Sequence, residues 1–192
     1  EKSLFNAWAG SRKPDGTSVC YNHMPNQLTA SVWEGSWTPR MCYSPVHAPL
    51  CCNLNSHRAV HPYAFRMWML TPDGGPAAVY YGDCRLQVEV PGAGVVEIVE
   101  ETDYPFGEHV RITVTAPAAA EFPVSLRVPS WCGQAEVTVN ERRVGDAPKA
   151  GTFHRIERVW QPGDVIDLEL PMPIKLRWAE IFEEPAFHDV NK

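Results

Sequence analysis

The sequence predicts a mainly β chain organised around an antiparallel β-sandwich. Eight short segments between residues 78 and 170 alternate apolar with polar side chains. Turn residues separate most of them, and a helix-spaced apolar pattern stops just before the first. Each segment reads directly from its period. AVYYG, RLQVEV, VVEIVEE, HVRITVT, FPVSLRV, AEVTVN, TFHRIERV and DVIDLEL repeat every second residue, which puts one face of each strand in a core and the other in water. PGAG, DYPFGE and QPGD supply the fixed-φ and positive-φ positions that reverse the chain.

Residues before the strands follow other rules. In EKSLFNAWAG, Leu4, Phe5 and Trp8 stand at helical spacing and Gly10 is a stop. RKPDGTS reads as a turn and SVCYNHMPN as a short extended segment. Residues 25–50, with Pro25, Pro39, Pro45 and Pro49, read as a long loop, and loops of that length tend to lie over a site. From residue 51, Leu54, Val60, Tyr63, Ala64, Met67 and Trp68 recur at intervals of three and four, which predicts a helix packed by one face, with Pro62 kinking it or opening a new first turn. TPDGGP ends it. After Leu170 the two-residue rhythm is lost.

The chain has 192 residues, enough for one domain and part of another. It opens without Met, as if within a helix, so a piece of a longer protein is expected. A net charge of −6 with no basic stripe argues against nucleic acid as a partner. No apolar run is long enough to span a bilayer, so no membrane partner is expected. Six scattered cysteines (Cys20, Cys42, Cys51, Cys52, Cys84, Cys132) do not make a disulfide scaffold for a chain of this size.

LCCNLN, at residues 50–55, concentrates the candidate chemistry. A thiolate is both a nucleophile and a zinc ligand, and the start of a helix favours an anion. No CxxC partner accompanies the pair, so spacing alone leaves a metal pair, an activated nucleophile and two buried thiols all open; burial is the commonest fate of free cysteine. His57 and His61, four apart, would share a helix face as metal ligands do, but no HExxH frames them. Glu97, Glu100, Glu101 and Asp103 lie on alternating strand faces, where solvated side chains are expected rather than a facing carboxyl pair. Trp33, Trp37 and Tyr43 in the long loop suit stacking on sugar rings and equally suit packing beneath the loop, whereas Trp131 and Trp160 at strand ends suit the core.

These pieces together have a likeness. CCNLNSHRAVHPYAFRMWM, then AAVYYG, EETDYPFGEHVRITV, FPVSLRVPSWC, VTVN and RVWQPGDVIDLELPMPIKL, in that order, resemble glycoside hydrolase family 127, the beta-L-arabinofuranosidase-like proteins. The resemblance implies a catalytic (α/α)6 barrel followed by β-sandwich domains. On it, residues 1–70 are the C-terminal end of the barrel, 71–178 a β-sandwich domain, and 179–192 the start of a following segment or linker. It implies that Cys51 is the nucleophile of a retaining glycosidase and a zinc ligand, and that Cys52 is a second zinc ligand. The remaining ligands, a Glu and another Cys, and the acid/base Glu are expected before residue 1; Cys42 lies too close to Cys51 to be the missing ligand. Tyr21 is a candidate substrate contact. The implied partner is a carbohydrate, a plant-type glycan or glycoside such as a beta-L-arabinofuranoside, and a homodimer is allowed. The alternative is a non-catalytic β-sandwich module that supports the barrel or binds carbohydrate, with Cys51 and Cys52 as structural thiols.

Overall fold

A computed structural model describes Phe5, Tyr43, Asn55, Arg58 and residues 8–20 and 60–174. Phe5 and residues 8–10 are helical, and the chain turns after Gly10 as the sequence predicts, Ser11 N–H and Arg12 N–H donating back to the carbonyls of Trp8 and Ala9. Gly16 takes the positive φ of the following turn, which the Asp15 carboxylate braces through Thr17. Arg12 then bridges to Val19. Helix α1 spans Val60–Ala64, with Pro62 in its first turn, where a missing N–H costs nothing.

Ten strands follow: β1 Trp68–Leu70, β2 Pro76–Ala78, β3 Cys84–Val90, β4 Gly94–Thr102, β5 His109–Thr115, β6 Ala120–Arg127, β7 Glu136–Val139, β8 Arg142–Arg143, β9 Phe153–Trp160 and β10 Asp164–Glu169. They form a four-stranded sheet, β1-β2-β6-β9, and a six-stranded sheet, β3-β4-β5-β10-β7-β8. The six-stranded sheet is antiparallel throughout.

The inward faces meet in one core. Val96, Ile98, Val110, Ile112, Val114, Ile166 and Leu168 come from the larger sheet, and Val124, Leu126, Ile156 and Trp160 from the smaller. Burying each such aliphatic side chain contributes about 1.5–3 kcal/mol. Trp160 keeps its indole satisfied by donating to the Phe122 carbonyl at 2.8 Å, and Trp131 packs against the core edge, as the sequence led us to expect.

Three expectations are corrected. The sandwich is not wholly antiparallel: β2 runs parallel to β6, Ala77 opposite Ser125 and Ala78 opposite Leu126, because the chain crosses from the smaller sheet into the larger one between them. The helical pattern does not extend to Trp68. The helix ends at Ala64, and Trp68–Leu70 pairs with Pro76–Ala78 across the TPDGG turn, so Trp68 reaches the core from extended backbone. AVYYG leaves the sheet after Ala78, since Val79 N–H and Tyr80 N–H both turn to the single Met67 carbonyl and Tyr81 swings inward. As for the barrel helices, α1 and the short helical pieces at Phe5, residues 8–10, Asn55 and Arg58 are what the described residues contain; the rest of that expectation falls outside them.

Candidate functional site

Cys51, Cys52 and Tyr21 lie outside the described residues, as do His57, Trp33 and Trp37. The structure does place the elements that flank them. Asn55 is helical, and α1 follows with His61 stacked on Phe65 at 6.3 Å between ring centroids. Tyr43, from the proline-rich loop, donates its hydroxyl to the Gly10 carbonyl at 2.7 Å, which ties that point of the loop to the end of the first helix.

An aromatic junction joins these N-terminal pieces to the sandwich. Phe5 meets Tyr63 and Tyr104 edge-on at 5.5 and 6.0 Å. Tyr63 stacks on Tyr80 at 4.7 Å and donates its hydroxyl to the Tyr81 carbonyl at 3.0 Å. Tyr81 is buried, and its own hydroxyl donates to the Arg127 carbonyl at 2.7 Å. The Arg127 guanidinium in turn lies over Tyr80 and donates to the Val79 carbonyl. Ring pairs of this geometry add about 0.5–1.5 kcal/mol each beyond their buried area. The junction therefore holds the chain around α1 against the sandwich by specific polar and ring contacts.

Beside it sits a buried carboxyl. Glu100 is only 1% exposed. One of its oxygens accepts from Trp68 Nε1 at 2.7 Å and the other from Gly82 N–H at 2.8 Å. Burial pushes its pKa up to about 7, against the lowering effect of those two donors. Cys84, its cross-strand partner, is pushed up to about 11, first by burial and then by the neighbouring Glu100 charge. The expectation that the β4 carboxylates are solvated is thus corrected at Glu100. The signal was in the sequence: residues 96, 98 and 100 share one strand face, and Val96 and Ile98 are core. Glu100 is thus enclosed between the sheets, held by Trp68 and the Gly82 N–H.

Other polar groups are engaged at the surface. Asp167 receives Arg111 Nε and the His109 ring at 2.9 Å each. An open depression of about 570 Å³ beside them is lined by Asp83, Glu101, Asp103 and Glu108 among others. Among the described residues, no group of three or more His, Cys, Asp or Glu side chains is placed to hold a metal ion.

Comparison with known proteins now bears on the chain as a whole. Residues 77–172 match the domain described as beta-L-arabinofuranosidase, GH127 middle domain. A comparison with curated proteins gives no match. Among solved structures, a glycoside hydrolase is similar at 28% identity and a TM-score of 0.74, over 92% of this chain and 29% of its own. A GH127 beta-L-arabinofuranosidase from Geobacillus stearothermophilus T6 is similar at 30% identity and a TM-score of 0.77, over 94% of this chain and 28% of its own. A GH127 beta-arabinofuranosidase at 22% identity and a TM-score of 0.70 shares the fold over 90% of this chain and 28% of its own. The chain thus spans 28–29% of the length of these structures. With half of its residues in the matched domain, the chain belongs to the GH127 beta-L-arabinofuranosidase family, whose middle domain is its sandwich.

Proposed function

We propose that this chain is part of a zinc-dependent retaining glycoside hydrolase that acts on furanosides such as beta-L-arabinofuranosides. The observation that carries the reading is an ordering. A double cysteine followed by Asn55 and Arg58 stands directly upstream of a GH127 middle domain, in a chain alignable over 94% of its length with a beta-L-arabinofuranosidase.

In this reading Cys51 attacks the anomeric carbon: a carbon–sulfur bond forms as the glycosidic carbon–oxygen bond breaks, and the leaving oxygen takes a proton from an acid group. A water molecule then displaces sulfur, giving its proton to the same group, now a base; this second inversion gives net retention and returns the thiolate. Cys51 and Cys52 are the residues of this chain that would hold zinc, and two thiolates suit that borderline-soft cation. When bound, zinc keeps a thiolate deprotonated and makes sulfur a better leaving group. Tyr21 is the candidate sugar contact. The aromatic junction supports the reading by giving the segment after the cysteines a rigid mount, which a positioned nucleophile requires.

The test is made on the full-length protein containing this chain, with an aryl beta-L-arabinofuranoside. Cys51→Ala is expected to lower kcat by about three orders of magnitude or more, and Cys52→Ser to lower zinc content. Unchanged turnover in the first variant would refute the nucleophile. Unchanged zinc in the second would favour the other reading, a sandwich that supports a barrel or binds carbohydrate while its cysteines are structural.

A further inference from the structure

We propose that Glu100 is a pH-responsive latch that holds β1 on the sandwich while its carboxyl is neutral and lets β1 come away when it ionises. The geometry is a bridge between sheets. Glu100 points inward from β4 of the larger sheet, and Trp68, the first residue of β1 in the smaller sheet, reaches across to it at 2.7 Å. The second oxygen is held by Gly82 N–H in the turn that enters β3. Among the described residues, the groups that donate to this carboxyl are neutral dipoles, and no cation is found to offset its charge. Among the described residues, Asp83 from the preceding turn opposes its ionisation, while Cys84 from β3, its own pKa pushed up to about 11, stands beside it as a neutral thiol. Its other ladder neighbour, Ile112 on β5, is apolar.

An ionised Glu100 therefore gains most by meeting water, and the structure decides which wall yields. β3 is held by seven ladder pairs to β4. β5 is a central strand, paired on both sides. Among the described residues β1 is an edge strand with three ladder pairs, and Met69 and Leu70 are half exposed. Opening β1 hydrates Glu100 at the least loss of contact, and low-stability edges are where local opening occurs. An exposed carboxyl ionises near its ordinary 4.5 and the closed one near 7, so closure weakens between those values and the loss is complete near neutral pH. A raised pKa means that the closed form binds the extra proton, so closure is favoured below the transition and lost as pH rises through it. The segment released continues directly into α1 and the chain that follows the cysteine pair, so the latch would couple pH to that segment.

Hydrogen exchange on the full-length protein tests this. Each rate is divided by the intrinsic rate at the same pH. Protection across residues 66–71 is expected to be level below about pH 4.5, to fall by up to about tenfold per pH unit between there and about 7, and to level off above, as release of one proton between the open and closed pKa values requires. Protection in β5 should stay level. In Glu100→Gln, residues 66–71 should show no such slope. A β1 protection independent of pH in the native protein, or a slope that survives in Glu100→Gln, would overturn the proposal. A carboxyl carbon-13 titration of Glu100 in the unaltered protein decides independently of whether the variant folds: a midpoint near 7 upholds the latch, and one near the ordinary 4.5 removes it.

Discussion

Asn140 closes the β7–β8 hairpin, and its replacement tests how the small end of the larger sheet is held. The two loop residues, Asn140 and Glu141, have φ of 50° and 64°, the left-handed pair that a two-residue hairpin needs. The Asn140 side chain then does two further things. Its amide nitrogen donates to Asp164 Oδ1 at 2.8 Å, and its oxygen accepts from Val165 N–H at 3.0 Å. Asp164 is buried and depends on such donors; Gln161 N–H at 3.0 Å is another. Asn140→Ala removes two hydrogen bonds, one of them to a carboxylate, for a loss of about 2 kcal/mol. It also forces alanine into the left-handed region, at a cost of about 1 kcal/mol. The expected total is a loss of about 3 kcal/mol of folding stability. Asn140→Gly loses the hydrogen bonds but not the backbone freedom, so it should cost about 1 kcal/mol less. Urea unfolding followed by near-ultraviolet circular dichroism measures both from midpoint and slope. If both variants unfold with the native midpoint, the hydrogen-bond argument is refuted. If alanine is no worse than glycine, the backbone argument is.

Other outcomes follow from buried groups. His154 lies near Gly145, its Nε2 without a hydrogen-bond partner among the described residues, and burial depresses its pKa below 6.5 against the weaker effects of the Val144 backbone and Asp146. A depressed histidine leaves the unfolded chain binding the extra proton, so stability is full above about pH 6.5 and falls as pH drops through the folded value. His154→Leu should flatten that acid limb in pH-dependent urea melts, and an unchanged slope would refute the assignment. Glu100 pulls the other way over neutral pH, so Glu100→Gln and His154→Leu should change the stability profile with opposite signs. Gly75 admits no side chain: a Cβ there would stand 2.6 Å from Pro123 Cγ and 2.7 Å from the Pro123 carbonyl oxygen. Gly75→Ala should cost about 1–3 kcal/mol by pushing β2 off β6, seen as a lowered midpoint in the same melts; a native midpoint would mean that the backbone yields.

The sandwich was legible because its cause is local. Side chains alternate every two residues wherever one face of a strand is buried, so Val96, Ile98, Val110, Ile112 and Val114 declared themselves without any knowledge of their neighbours. The turns at Gly92, Gly94 and Gly163 were equally local, since each takes a positive φ that favours glycine. The family also was legible, because its motifs are short and keep their order along the chain. Tertiary structure decided what depends on partners far apart in sequence. Trp68 continues a helical rhythm, yet it is a strand residue because Ala78 pairs with it. Glu100 is a polar letter at a core position, and it takes Trp68, 32 residues away, and the Gly82 N–H to explain how it is kept there. The parallel β2–β6 pair arises from a crossover that no local pattern records. Period and turn chemistry act over a few residues and can be read in order, whereas the environment of a charge is set by whatever the fold brings to it.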